Sequence, residues 1–133
     1  MKTFTRSILV ALLLIIAAPA YSAASGLQAI QIFNCTFNDD ATADQVMEVA
    51  SAWLKAAKGM KGGESMDAYI RFPVAEGTDG EGDFRFVITT PSFAEWGAFT
   101  DAYEGSEASK VDEKFNNLAD CNDSTIWEGL KIQ

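Results

Sequence analysis

The spacing of apolar positions changes period along the chain, and each change predicts an element. From Ala29 to Phe37 the sequence alternates, with Phe33, Cys35 and Phe37 on one side and Ile30, Ile32, Asn34 and Thr36 on the other, which predicts a first strand. Thr42 then opens a T-x-x-Q capping box with Gln45, and Val46, Val49, Ala50, Trp53, Leu54 and Ala57 recur at helical spacing until Gly59. Lys55 and Lys58 in the last turn complement the helix dipole. After a glycine-bearing loop, Ala68, Ile70, Phe72 and Val74 alternate with Asp67, Tyr69 and Arg71 as a second strand, with Pro73 near its end suiting only a sheet edge. The acidic, glycine-rich stretch from Glu76 to Asp83 reads as a turn, and Phe84, Phe86 and Ile88 then alternate with Arg85, Val87 and Thr89 to complete a hairpin. Ser92 and Glu95 form an S-x-x-E box at the head of a helix carrying Phe93, Trp96, Phe99 and Tyr103. A further helical piece begins at Ser106 with Ala108, Val111, Phe115 and Leu118 on one face, and a last strand is expected from about Ser124 to Ile132.

The order β-α-β-β-α-β is the split βαβ plan, the ferredoxin-like α+β fold: a four-stranded antiparallel sheet with the helices on one face. In this topology the first and last strands are antiparallel neighbours. Cys35 and Cys121 then fall where the end of the first strand meets the start of the last, and the second strand is an edge, where Pro73 is tolerated.

The beginning of the chain follows a different rule. Lys2 and Arg6 precede an apolar run from Ile8 to Ala18 and a cluster of small residues, the signature of a secretory signal peptide over residues 1–22. The run is too short to span a bilayer, so no membrane anchor is expected after cleavage. A single domain over 23–133 remains, placed in the periplasm or outside the cell. The whole chain of 133 residues carries 10 basic and 19 acidic side chains, net −9. Loss of Lys2 and Arg6 leaves 8 basic residues, for a net of −11. That acidity excludes nucleic acid as a partner, since phosphate binding is built from Lys and Arg. In an oxidising compartment Cys35 and Cys121 are expected to form a disulfide, with two free buried thiols as the competing state. There is no histidine, which removes Ser-His-Asp and Cys-His catalysis and His-liganded metals.

Candidate chemistry comes from the hairpin. If its centre lies near Thr78, positions whose numbers sum to 156 face each other: Phe72 with Phe84, Ile70 with Phe86, Tyr69 with Val87, and Arg71 with Arg85. The apolar pairs lie under the helices, so Arg71 and Arg85, the only arginines after the signal peptide, share the other face. Like charges directly opposite destabilise a sheet unless something neutralises them. A bound anion held bidentately would do so, as would Asp67, Asp83 or a carboxylate of a second subunit. The candidate ligand-binding set is therefore Arg71, Arg85 and Tyr69, with Asn34 and Trp127 on the same face. The aromatic residues Trp53, Trp96 and Phe99 sit at helical spacing and read as core first. The turn Asp79-Gly-Glu-Gly-Asp83 begins like a calcium loop, but Phe84 stands where that loop needs Gly and Thr90 where it needs Glu, so a solvated turn is favoured and no metal is expected. Asn34-Cys-Thr36 and Asn122-Asp-Ser124 fit the glycosylation pattern, which matters only in a eukaryotic secretory pathway.

Given its element order, and the passage from Phe84 to Phe99 in which a strand runs into a capped, aromatic-bearing helix, the chain resembles the dimeric α+β barrel superfamily. The resemblance implies a homodimer that pairs open sheet faces. It also implies relatives among antibiotic-biosynthesis-type monooxygenases that use no cofactor, haem-degrading enzymes, and proteins without known chemistry. The missing histidine counts against the haem-using branch. The expectation is an acidic, exported, non-enzymatic domain without cofactor, binding a small anionic or aromatic ligand at the sheet face of a homodimer. The alternatives are a monooxygenase or isomerase acting on a hydrophobic small molecule without a cofactor, and a structural or interaction subunit.

Overall fold

A computed structural model describes residues 27–75, 82–130 and 132. Residues 1–22, read as a signal peptide, and the part of the acidic turn before Gly82 lie outside them. The elements run β1 (Leu27–Phe37), α1 (Ala43–Ala57), β2 (Asp67–Arg71), β3 (Phe84–Thr90), α2 (Phe93–Asp101), α3 (Glu107–Phe115) and β4 (Ala119–Leu130). The strands form one antiparallel sheet in the order β2-β3-β1-β4, which is the ferredoxin-like topology.

Each helix begins where the sequence supplies a cap. The Thr42 hydroxyl accepts the Gln45 amide proton, and the Gln45 side chain accepts in return from the Thr42 backbone at 2.9 Å. Ser92 and Ser106 accept from the amides of Glu95 and Ser109. The helices cover the sheet face that carries Phe33, Cys35 and Phe37 of β1, Ala68 and Ile70 of β2, and Phe84, Phe86 and Ile88 of β3. Trp53 is the hub of this core at 3 % exposure: its ring meets Phe86 edge-on at 5.2 Å and Phe99 at 6.0 Å.

The hairpin register is the expected one, pairing Tyr69 with Val87, Ile70 with Phe86 and Arg71 with Arg85. Several strand boundaries differ from expectation, β1 beginning at Leu27 and β4 ending at Leu130 among them. β2 stops at Arg71 and not at Val74, because Pro73 has no N–H for the ladder and restricts Phe72 before it. β4 starts at Ala119, well before Ser124, although Asp120, Asn122 and Asp123 are poor strand formers. Pairing with β1 overrides that local preference: Phe37 faces Ala119 and Asn34 faces Asp123.

Between those pairs the ladder shifts register by one residue on β4. The Cys35–Cys121 disulfide sits at this irregularity and joins residues 86 apart in sequence. The bulge also resets the alternation of β4, so that Asp123, Thr125 and Trp127 lie across from Asn34, Ile32 and Ile30 on the face away from the helices.

The link from α1 to β2 is held by close backbone contact. Gly62 has φ +81°, and a Cβ there would meet the Glu95 carbonyl and stand 2.6 Å from the Phe99 amide nitrogen. Only glycine allows this loop to lie against α2, which fixes the height of α2 over the sheet.

Candidate functional site

Two places could carry function, one on each side of the sheet. On the open side the five residues singled out by sequence do share a face. Arg71, Arg85, Asn34 and Asp123 form one rung across all four strands, with Tyr69, Val87, Ile32 and Thr125 in the next. Trp127 lies a further rung away, opposite Ile30 and 57 % exposed, so it does not join the arginines in one site. Within one subunit Tyr69, Arg71, Arg85 and Trp127 of this face are exposed, while Val87 at its centre is buried. Asn34 borders a small polar hollow of about 180 Å³ with Thr36, Asp120, Asn122 and Asp123, and neither arginine is in its wall.

The two carboxylates named as partners of the arginines are engaged elsewhere. Asp67 pairs with Lys58 at 3.5 Å. Asp83 accepts the Phe37 amide proton at 2.8 Å, extending the link between β1 and the start of β3. Among the described residues neither arginine is in a salt bridge, and Arg71 lies over the Tyr69 ring at 5.8 Å.

On the helix side lies a cavity of about 380 Å³, within the size range of small-molecule sites. Its floor is Gln31 and Phe33 of β1, Phe86 and Ile88 of β3, and Cys121 of β4. Trp53 of α1 forms one wall; Trp96, Phe99 and Thr100 of α2, Tyr103 and Glu104 of the turn after it, and Asp112, Phe115 and Asn116 of α3 form the rest. Around it α3 packs chiefly against α1, while α2 touches β1 and β3 only lightly. An interior at ordinary density would leave no such space.

The polar groups of this cavity are ordered by hydrogen bonds. The Trp53 indole N–H donates to the Tyr103 hydroxyl at 2.9 Å, and the Trp96 indole N–H donates to Gln31 Oε1 at 3.1 Å. The Asp112 carboxylate lies close enough to Tyr103 to influence its titration. Burial, opposed by the Trp53 hydrogen bond and reinforced by the nearby Asp112 charge, pushes the Tyr103 phenol up to about 12. Burial also raises Asp112 above the ordinary carboxylate value, against the lowering effect of the Tyr103 hydroxyl. The arrangement can orient a planar guest and offer it a carboxylate. It has no histidine, and the described residues hold no cluster of His, Cys, Asp and Glu suited to a metal ion.

Sequence reasoning did not single out Asp112, Gln31 or Tyr103 as site residues. Trp53, Trp96 and Phe99 read as core, and they are core; they are also cavity wall. Nothing in helical spacing separates an aromatic packed on its neighbours from one that borders an empty space. The one available signal was a half-hidden one: Asp112 follows Val111 and precedes Phe115 by three positions, which places a carboxylate beside the apolar face of α3.

No family model matches the chain, and none of the curated proteins compared with it matches either. Among the solved structures similar to it are two with a TM-score of 0.50. One is a dimeric ferredoxin-like protein of unknown function from Thermobifida fusca, 15% identical with a TM-score of 0.50, covering 80% of this chain and 92% of that one. The other is a hypothetical protein of Arabidopsis thaliana, 12% identical with a TM-score of 0.50, covering 82% of this chain and 90% of that one. At these identities the likeness establishes the ferredoxin-like fold.

Proposed function

We propose that the mature chain is an exported, homodimeric domain that binds a small aromatic molecule in the cavity between sheet and helices. The observation that carries this reading is the cavity of about 380 Å³ walled by Trp53, Trp96 and Phe99, with the Trp53–Tyr103 hydrogen bond and the Asp112 carboxylate in its wall. Its aromatic surfaces supply stacking and its few polar atoms supply orientation, the usual division of labour in a ligand pocket. Export is supported by the secretory pattern at the start of the chain and by the Cys35–Cys121 disulfide.

The homodimer is supported by the sheet face away from the helices. Ile30, Ile32, Tyr69 and Trp127 make an apolar band there around the buried Val87, with Tyr69 and Trp127 exposed. The rung below is charge-polarised, from Arg71 and Arg85 at one edge to Asp123 at the other. A two-fold, face-to-face pairing with aligned strands sets the positive end of one copy over the negative end of the other. The similar Thermobifida fusca protein is dimeric. A second reading keeps a small anion between Arg71 and Arg85, favoured by their direct cross-strand pairing.

The test uses the three indole N–H signals of a ¹⁵N-labelled sample titrated with indole. Signals of Trp53 and Trp96 should shift while that of Trp127 does not, and Thr100→Phe at the mouth should weaken the response. Absence of any shift at Trp53 and Trp96 would refute the cavity reading. Sedimentation of the R71A/R85A variant addresses the face: a dimer that dissociates supports the interface, and a wild-type monomer at micromolar concentration refutes it.

A further inference from the structure

We infer that the guest of this cavity is a cation, a small organic ammonium ion with an aromatic or alkyl body. The inference rests on the cavity reading above and adds the sign of the charge. It starts from which charged groups border the space. The wall has two, Glu104 and Asp112, and both are acidic; no lysine or arginine belongs to it. Among the described residues neither carboxylate is in a salt bridge, since the ion pairs are Lys58 with Asp67 and Lys110 with Glu107. An anionic guest would meet two like charges and no counter-charge.

The uncharged part of the wall points the same way. Trp53, Phe86 and Phe99 are each less than a tenth exposed, and with Trp96 and Tyr103 they surround the space with aromatic rings. Ring faces carry negative potential, and a desolvated cation among several of them is held more strongly than a neutral guest of the same shape. Trp53 and Phe86 are fixed at 82° to each other, and Trp53 and Phe99 at 78°, so the rings present both faces and edges and form a corner around a guest. Asp112 is in the wall beside Tyr103, where its carboxylate can accept from an ammonium group. The acidity of the mature chain adds long-range attraction for cations.

The experiment compares three probes with the same phenyl body: 2-phenylethylammonium, 2-phenylethanol and phenylacetate. Each is titrated into the full mature protein, read at the Trp53 and Trp96 indole signals. The cation should bind at least tenfold more tightly than the alcohol, and phenylacetate more weakly than both. Asp112→Asn and Glu104→Gln should each narrow the preference for the cation over the alcohol. Equal affinity for all three probes, or preference for phenylacetate, overturns the inference about charge and leaves the cavity reading intact. Failure of all three probes and of indole overturns both. Should Asp112→Asn disturb the Trp53 signal without any ligand, Glu104→Gln carries the test alone, and an unchanged preference in that variant counts against the inference.

Discussion

Removing the Cys35–Cys121 link tests how the ends of the sheet are held. The bond closes a loop of 86 residues, so its loss frees the unfolded chain from a large constraint. The chain-entropy relation gives about 4 to 5 kcal/mol for a loop of that length. Cys35 is fully buried and Cys121 borders the cavity, so replacement by alanine removes only small side chains from the native state. The C35A/C121A variant should therefore keep its fold and its β1–β4 pairing while losing most of that stability. For a domain of this size the melting temperature should fall by on the order of 20 °C. Urea unfolding of the oxidised wild type and the double variant measures the difference, with amide exchange along β1 and β4 as the control for structure. A loss below about 1 kcal/mol would refute the reasoning, because it would mean that the β1–β4 ladder already confines the unfolded chain as the bond does. Unchanged stability after reduction of the wild type would carry the same message.

Two further outcomes are expected. Gly62→Ala should cost about 2 kcal/mol or more, since a left-handed φ of +81° penalises any side chain and the new Cβ would press on the α2 backbone at Phe99; a thermal-melt difference of less than about 0.5 kcal/mol would exclude that contact. The Tyr103 phenol is held up to about 12 from 10.0, so the native state keeps a proton that the unfolded state gives up. That contribution is complete below pH 10 and is lost as pH rises towards 12; urea unfolding along this range should show a falling stability that Tyr103→Phe abolishes, and an identical slope in the variant would refute the assignment.

Much of the architecture was legible before any coordinates. Capping boxes at Thr42 and Ser92 mark helix starts because the chemistry of a cap is local. The facing of Arg71 and Arg85 followed from hairpin arithmetic because strand side chains alternate with a period of two. The early start of β4 was not legible, since Asp120, Asn122 and Asp123 favour turns in isolation and form a strand only beside β1. The shift in alternation at the disulfide was hidden for the same reason: a bulge belongs to a pair of strands, and neither strand announces it alone.

The candidate site divides along the same line. Sequence determined that Arg71, Arg85, Tyr69, Asn34 and Trp127 share one face, and that Trp53, Trp96, Phe99 and Tyr103 face inward, because periodicity assigns side chains to faces. Only the tertiary structure decided that the inward aromatics leave a space among them, and that Asp112, Glu104 and Gln31 reach its rim. A void is a property of how α2 and α3 sit over the sheet, fixed by contacts such as Gly62 against α2, and no single element's pattern contains it.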